Sequence, residues 1–284
     1  MVREFYIEND LGQRFSMMDI ENGCFLSSPT GLGYSYDIDY AQIGNNFIPN
    51  IRKITQGQIG GELIFKNYDN YKKFINFVES GNELKFVYKV PYDNNSTEFF
   101  KDIDVSIVDK TEIGVNGVLI VPATFNAKSL WYEAREIVYT INDSVSDDEL
   151  RWDFSWDAVF TSYNSRNMDF ENKGHEEAPF KLELDGEIVN PSIAIIEDGE
   201  ETKKLDLDGL TIQEGEKLVY NTKDTEQEIY KKTTSNTKVN LFNFLNPNFI
   251  NFFKLRKGLS TIRLESDGEI TSGKLTIYVQ YKAV

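Results

Sequence analysis

The sequence predicts a mostly β protein of two domains with one α-helix, and three observations carry that prediction. The chain has 284 residues, and domains commonly run about 100–200 residues. Its 20 Phe and 15 Tyr stand against 4 Met, and aromatics favour strands and broad interfaces. Turn dipeptides (Asn22-Gly23, Asn116-Gly117, Asp185-Gly186, Asp198-Gly199, Asp208-Gly209, Asp267-Gly268) punctuate short alternating runs, as in antiparallel sheets.

In chain order, residues 1–30 read as short strands, with turns at Asn9-Asp10-Leu11-Gly12 and Asn22-Gly23. Residues 27–33 read as a loop ahead of Tyr34-Ser35-Tyr36. From Phe47 to Phe65 apolar residues recur around Gly57, Gly60 and Gly61, which reads as strands with bulges. Residues 68–80 form the helix. Tyr71, Phe74, Ile75 and Val78 fall at i, i+3, i+4 and i+7, Asn67 or Asp69 can cap the start, and Gly81 stands just past the end. Leu84, Phe86, Tyr88 and Val90 alternate as a strand, as do Ile103, Val105 and Ile107. Asn116-Gly117 predicts a hairpin between Ile113/Val115 and Val118/Leu119. Residues 121–130 read as a strand entered through Pro122, and 131–141 as a strand or connecting arm.

The acidic segment Asn142-Asp143-Ser144-Val145-Ser146-Asp147-Asp148-Glu149 reads as a linker, which sets the expected domains at 1–141 and 142–284. Beyond it, Leu182/Leu184 and Ile262/Leu264 mark short strands. In the final run Leu275, Ile277, Val279 and Tyr281 face one way, with Lys274, Thr276, Tyr278, Gln280 and Lys282 opposite. Frequent turns at this spacing suggest an antiparallel sandwich. A helical turn at 241–245, ended by Pro247, is a weak signal.

Charge excludes one class of function. The net charge is −16, divided as −6 over residues 1–140 and −10 over 141–284. With no Lys/Arg block, a tight nucleic-acid binder is excluded, whereas a negative pore wall would let DNA slide without sticking. Cys24 is the single cysteine, so no intrachain disulfide forms and a reducing cytosol suits the chain. The start alternates polar and apolar residues, and no run approaches the ~18 apolar residues of a span. Synthesis in the cytoplasm and no membrane insertion are expected.

Chemistry is sparse. His175 is the single histidine and lies in a polar stretch, so a Ser-His-Asp or Cys-His centre is not expected. With one His and one Cys far apart, neither is a zinc site. Leu205-Asp206-Leu207-Asp208-Gly209 has the look of a calcium loop, but position 1 is Lys204 and position 12 is Gly215, so it reads as an acidic hairpin. Gly31-Leu32-Gly33 lacks the third glycine and the Lys-Ser/Thr of phosphate loops. No local pattern selects a glycosidase carboxylate pair. The expectation is therefore no catalytic residue, no cofactor and no metal. Trp152, Phe154 and Trp156 share one strand face; packing is the favoured reading and a sugar-binding platform the alternative. Cys24, beside Phe25, reads as a small buried residue.

Several segments carry a resemblance. Arg3-Glu4-Phe5, Ser28-Pro29-Thr30-Gly31-Leu32-Gly33-Tyr34-Ser35-Tyr36, Gly57-Gln58-Ile59-Gly60-Gly61, the helix between strands, Ala123-Thr124-Phe125 and Ser129-Leu130-Trp131-Tyr132 resemble the first domain of the distal tail protein (Dit) family of long-tailed phages. Tyr163-Asn164-Ser165-Arg166, the run from Asn172 to Pro179 and the closing run from Ile277 to Val284 resemble its second half. The resemblance covers nearly the whole chain, and its motifs are structural. It implies a tail-tube-like β-sandwich with one α-helix, followed by a galectin-like antiparallel β-sandwich. It further implies a non-enzymatic component of the virion tail: a hexameric ring around a DNA channel, docked to the tail-tube protein on one side and the tail-associated tip protein on the other. Receptor-binding proteins can attach to the outer domains. The alternative reading is a carbohydrate-binding module that aids attachment to the host cell wall.

Overall fold

The structure, a computed structural model, describes residues 3–92, 95–114, 116–140, 160–162 and 165–284. Two compact units emerge: Met1–Glu133 together with Tyr281–Val284, and Ala134–Gln280. Both are antiparallel and mostly β, and the expected helix is the α-helix found among the described residues.

The first unit contains β1 (Glu4–Asn9), β2 (Arg14–Ser16), β3 (Phe25–Thr30), β4 (Tyr36–Ile43), β5 (Asn46–Ile54), β6 (Gln58–Phe65), α1 (Tyr68–Glu79), β7 (Leu84–Tyr92), β8 (Asn95–Val108), β9 (Leu119–Ala127) and the start of β10 (Trp131–Thr140). Its main sheet has the order β2-β1-β7-β8-β9-β6-β3. The residue after β2 draws the two ends together: Met17 donates its N–H to the Phe5 carbonyl and accepts from the Leu26 N–H, both at 2.9 Å. The sheet therefore wraps around its own apolar face as a sandwich. Phe5, Ile7, Leu63, Phe65, Phe86, Phe125 and Trp131 fill the core. The helix forms as its sequence dictates. The Asn67 side chain accepts the Asn70 N–H at 2.9 Å, and Phe74 is fully buried against Phe15 and Phe65. Burial of each such ring contributes roughly 1.5–3 kcal/mol before entropy.

The second unit contains β11 (Phe160–Ser162), β12 (Ser165–Asn172), β13 (Phe180–Val189), β14 (Ser192–Glu197), β15 (Glu200–Asp206), β16 (Thr211–Ile212), β17 (Lys217–Asn221), β18 (Glu228–Lys232), β19 (Lys238–Asn240), a 3-10 turn (Phe242–Phe244), β20 (Gly258–Glu265) and β21 (Glu269–Tyr281). One sheet runs β19-β18-β17-β13-β21 and the other β11-β12-β20-β14-β15. Their apolar faces form the sandwich core. Leu182, Leu184, Leu218 and Ile277 come from the first sheet, and Ile193, Ile195, Ile262 and Leu264 from the second. In β21, Leu275, Ile277 and Val279 are buried as the alternation requires.

Several local readings change. Gly60 and Gly61 mark no bulge in β6, whose pairing with β9 is unbroken from Gln58 to Phe65. The irregularity lies opposite, in β3 between Ser27 and Thr30, so Ser27–Thr30 is strand and not loop. A Cβ on Gly61 would sit 2.7 Å from Leu26 Cδ1 and 3.0 Å from the Ser27 carbonyl; the glycine admits the bulged neighbour. Asp185-Gly186 is not a turn: β13 runs straight through it, opposite a bulge in β21 where Thr271 is the extra residue between Ser272 and Ile270. The Asn116-Gly117 turn exists, with Gly117 at φ +76°. However, the strands it joins stop at Val108 and resume at Leu119, so it closes a longer loop. The Asp206–Gly209 stretch is not a hairpin either. β15 pairs with β14 and β16 with β13, so this turn carries the chain from one sheet to the other.

Candidate assembly surface

The residues that stand out are those that find no cover. Among the described residues β4 and β5 pair only with each other. Their two-residue loop is Gly44-Asn45, and Gly44 takes φ +62°. A glycine supplies that backbone at no steric cost and lets the loop twist match the strands. The Gln42 amide fastens the tip by donating to the Gly44 carbonyl at 2.9 Å. No charged residue occurs from Tyr40 to Ile51. Yet all nine residues of β5 are exposed, Phe47 at 65% and Ile48 at 50%, as is Ile43 at the end of β4, at 61%. A two-stranded hairpin alone in water is marginal, and contiguous exposed apolar surface marks a protein contact.

The hairpin is held firmly at its base. Gly31, at φ +75°, passes so close to β6 that a Cβ there would lie 1.7 Å from the Gln58 carbonyl oxygen. The Trp131 indole N–H donates to the Leu32 carbonyl at 2.9 Å. On the return side, Gln56 Nε2 donates to the Ala127 carbonyl and the Ala127 N–H to the Gly57 carbonyl. The Arg52 guanidinium lies 3.7 Å over the Tyr36 ring. Three of the segments that carried the resemblance, 28–36, 57–61 and 129–132, thus hold anchors of this arm. The arm itself is missed in the sequence, where no element is assigned from Tyr34 to Asn46 and Phe47–Phe65 reads as strands with bulges. Gly44-Asn45 between two apolar runs is the signal that would have found it.

The remaining candidates show no converging chemistry. Cys24 is fully buried, and burial pushes its thiol up to about 12, which keeps it unreactive. His175 lies exposed in a bend, its N–H donating to the Gln280 carbonyl at 2.7 Å. Asp206 pairs with Lys204 at 3.0 Å. Among the described residues no group of three or more His, Cys, Asp or Glu is placed to hold a metal ion. None of the helices there is long and apolar enough to cross a membrane. Trp152, Phe154 and Trp156 lie outside the described residues. A second exposed apolar patch, in the second unit, comprises Phe242, Phe244, Phe249 and Ile250.

Comparison with known proteins points one way. Residues 4–128 match the family model described as the distal tail protein, N-terminal domain. Over all of both chains, the structure matches a chain of the phage P2 baseplate in its activated conformation with calcium, at 19% identity and TM-score 0.70. It also matches the Dit protein of SPP1, described as a paradigm of the hub adsorption apparatus of Gram-positive infecting phages. That likeness has 10% identity and TM-score 0.59 and covers 96% of this chain and 98% of the other. At these identities the structural likeness shows the fold. No curated protein matches the chain.

Proposed function

From the match of residues 4–128 to the distal tail protein N-terminal domain, we propose that the chain is a member of that phage family and forms the hexameric hub at the end of a long phage tail. Six first units close into a ring, with a central channel through which DNA passes. One side of the ring meets the last layer of tail-tube protein and the other the tail-associated tip protein. The second units stand outside the ring, where receptor-binding proteins attach. The role is structural, and the location is the virion tail after synthesis in the host cytoplasm.

One observation supports this reading beyond the family match: the apolar, firmly anchored β4–β5 hairpin that no described residue of its own chain covers. A closed ring repeats one heterologous contact until it shuts, which leaves no arm of this kind in water. The net charge of −16 also suits a conduit that repels phosphate. Sedimentation of the purified full chain, with negative-stain imaging, tests the proposal. Particles of six copies with a central hole are expected. A single-copy particle at high concentration overturns it.

A further inference from the structure

Resting on the ring reading above, we propose that the groove between α1 and the overhanging end of β8 receives β5 from the hairpin of a neighbouring copy. β7 accompanies β8 only as far as the pair Leu84↔Ile103. β8 continues to Val108 and, over Asp104–Val108, pairs on its other edge with β9. Among the described residues no strand takes the edge that β7 vacates, so that stretch presents unpaired backbone groups. A cavity of about 350 Å³ opens beside it. Its walls include Ile75 and Val78 from α1, Leu84 from β7, and Val105, Ile107 and Val108 from β8. Ile107 is half exposed. An open strand edge next to apolar pockets is the arrangement that accepts an added strand. Main-chain hydrogen bonds give such a contact its affinity, and the pockets give it specificity.

Charge identifies the occupant. The groove rim carries Glu79 and Asp104, both exposed. Asp104 also meets Lys128 at 3.1 Å, so Glu79 supplies much of the rim's negative field. Within the hairpin, β4 carries Asp37 and Asp39, whereas β5 carries Arg52 and Lys53. β4 would be repelled at this rim and β5 attracted. β5 also brings the apolar residues Phe47, Ile48, Ile51 and Ile54, all exposed. Donor and acceptor are different surfaces of the same unit. Each copy therefore gives one strand and takes one, which is what closure into a ring requires. Both exposed edges, a liability for any sheet protein, are covered by one contact.

The full-length chain with a photoreactive benzoyl-phenylalanine in place of Ile107 tests this directly. After mixing isotopically labelled and unlabelled chains and illuminating, the crosslinked peptides are expected to join position 107 of one copy to residues 46–54 of another. Crosslinks to any other segment overturn the proposal. In parallel, Glu79→Lys with Asp104→Lys, or Arg52→Glu with Lys53→Glu, is expected to raise the concentration needed for assembly at least tenfold. Combining all four charge reversals should restore it. If the wild type assembles and the reversals change nothing, the groove is wrong and the ring stands. If the wild type remains a single copy, ring and groove fall together.

Discussion

Two hairpins of this chain differ in what covers them. β14–β15 turns through Asp198-Gly199, with φ of +55° and +84°. β4–β5 turns through Gly44-Asn45. Both loops have two residues, and both flanking sequences are rich in Ile. In β14–β15 the apolar residues Ile193, Ile195 and Leu205 are buried, because β20 flanks β14 and a second sheet lies opposite. In β4–β5 the equivalent residues stand in water. Turn chemistry builds both hairpins equally well, but only a third strand and an opposing sheet stabilise the first within the chain. The second awaits something from outside.

The largest expected effect breaks the uncovered hairpin alone. Phe47→Asp with Ile48→Asp should reduce the assembled particle to single copies by sedimentation. The melting of the isolated chain should barely move, since exposed positions usually shift stability by about 0.5 kcal/mol or less. An unchanged particle mass would show that the arm takes no part in assembly. The converse change strikes the covered hairpin. Ile195→Ala empties a fully buried site and should cost about 2–5 kcal/mol in denaturant melts, with assembly intact below the melting temperature. Loss of assembly there would blur the contrast.

Smaller changes sharpen it. At Gly44 an added Cβ meets nothing within 4 Å, so Gly44→Ala tests backbone strain alone. At φ +62° the change should cost about 1–2 kcal/mol, read as weaker assembly and not as a lower melting point. The last test concerns the base of the arm and leaves assembly untouched. Lys101 is nearly fully buried, its ammonium 4.7 Å from the Trp131 ring. Desolvation lowers its pKa to about 8 from 10.5. The unfolded chain therefore holds this proton to higher pH than the folded one, so stability should rise as pH climbs from about 8 to about 10.5. Lys101→Met should remove that rise and stabilise the chain at pH 7. An unaltered pH profile would mean that the ammonium is solvated in the folded protein.

Much of the fold was legible because it is local. The helix followed from the spacing of Tyr71, Phe74, Ile75 and Val78, whereas its cap, open between Asn67 and Asp69 in the sequence, is Asn67 in the structure. The last strand followed from alternation at Leu275, Ile277 and Val279. The assembly surface was less legible. Gly31 and Trp131 were noticed as parts of a familiar pattern, but their role as anchors depends on Gln58 and Leu32, which lie 27 and 99 residues away along the chain. Asp185-Gly186 read as a turn because the dipeptide permits one, but β13 runs through it, opposite a bulge at Thr271 in β21.

By itself, the sequence determined where the helix and the cleanly alternating strands such as β7 and β21 fall, that reactive His and Cys pairs are missing, and that the first domain has the distal tail pattern. Each is a property of one stretch of chain or of a count. Tertiary structure decided which apolar runs are covered. Phe47, Ile48 and Ile51 are as hydrophobic as Leu275, Ile277 and Val279, yet the former are exposed and the latter buried. It also decided that β8 outruns β7, with no strand among the described residues on the edge left open. Periodicity belongs to a single segment, whereas burial requires a second segment to arrive from elsewhere, and only the folded chain fixes whether one does.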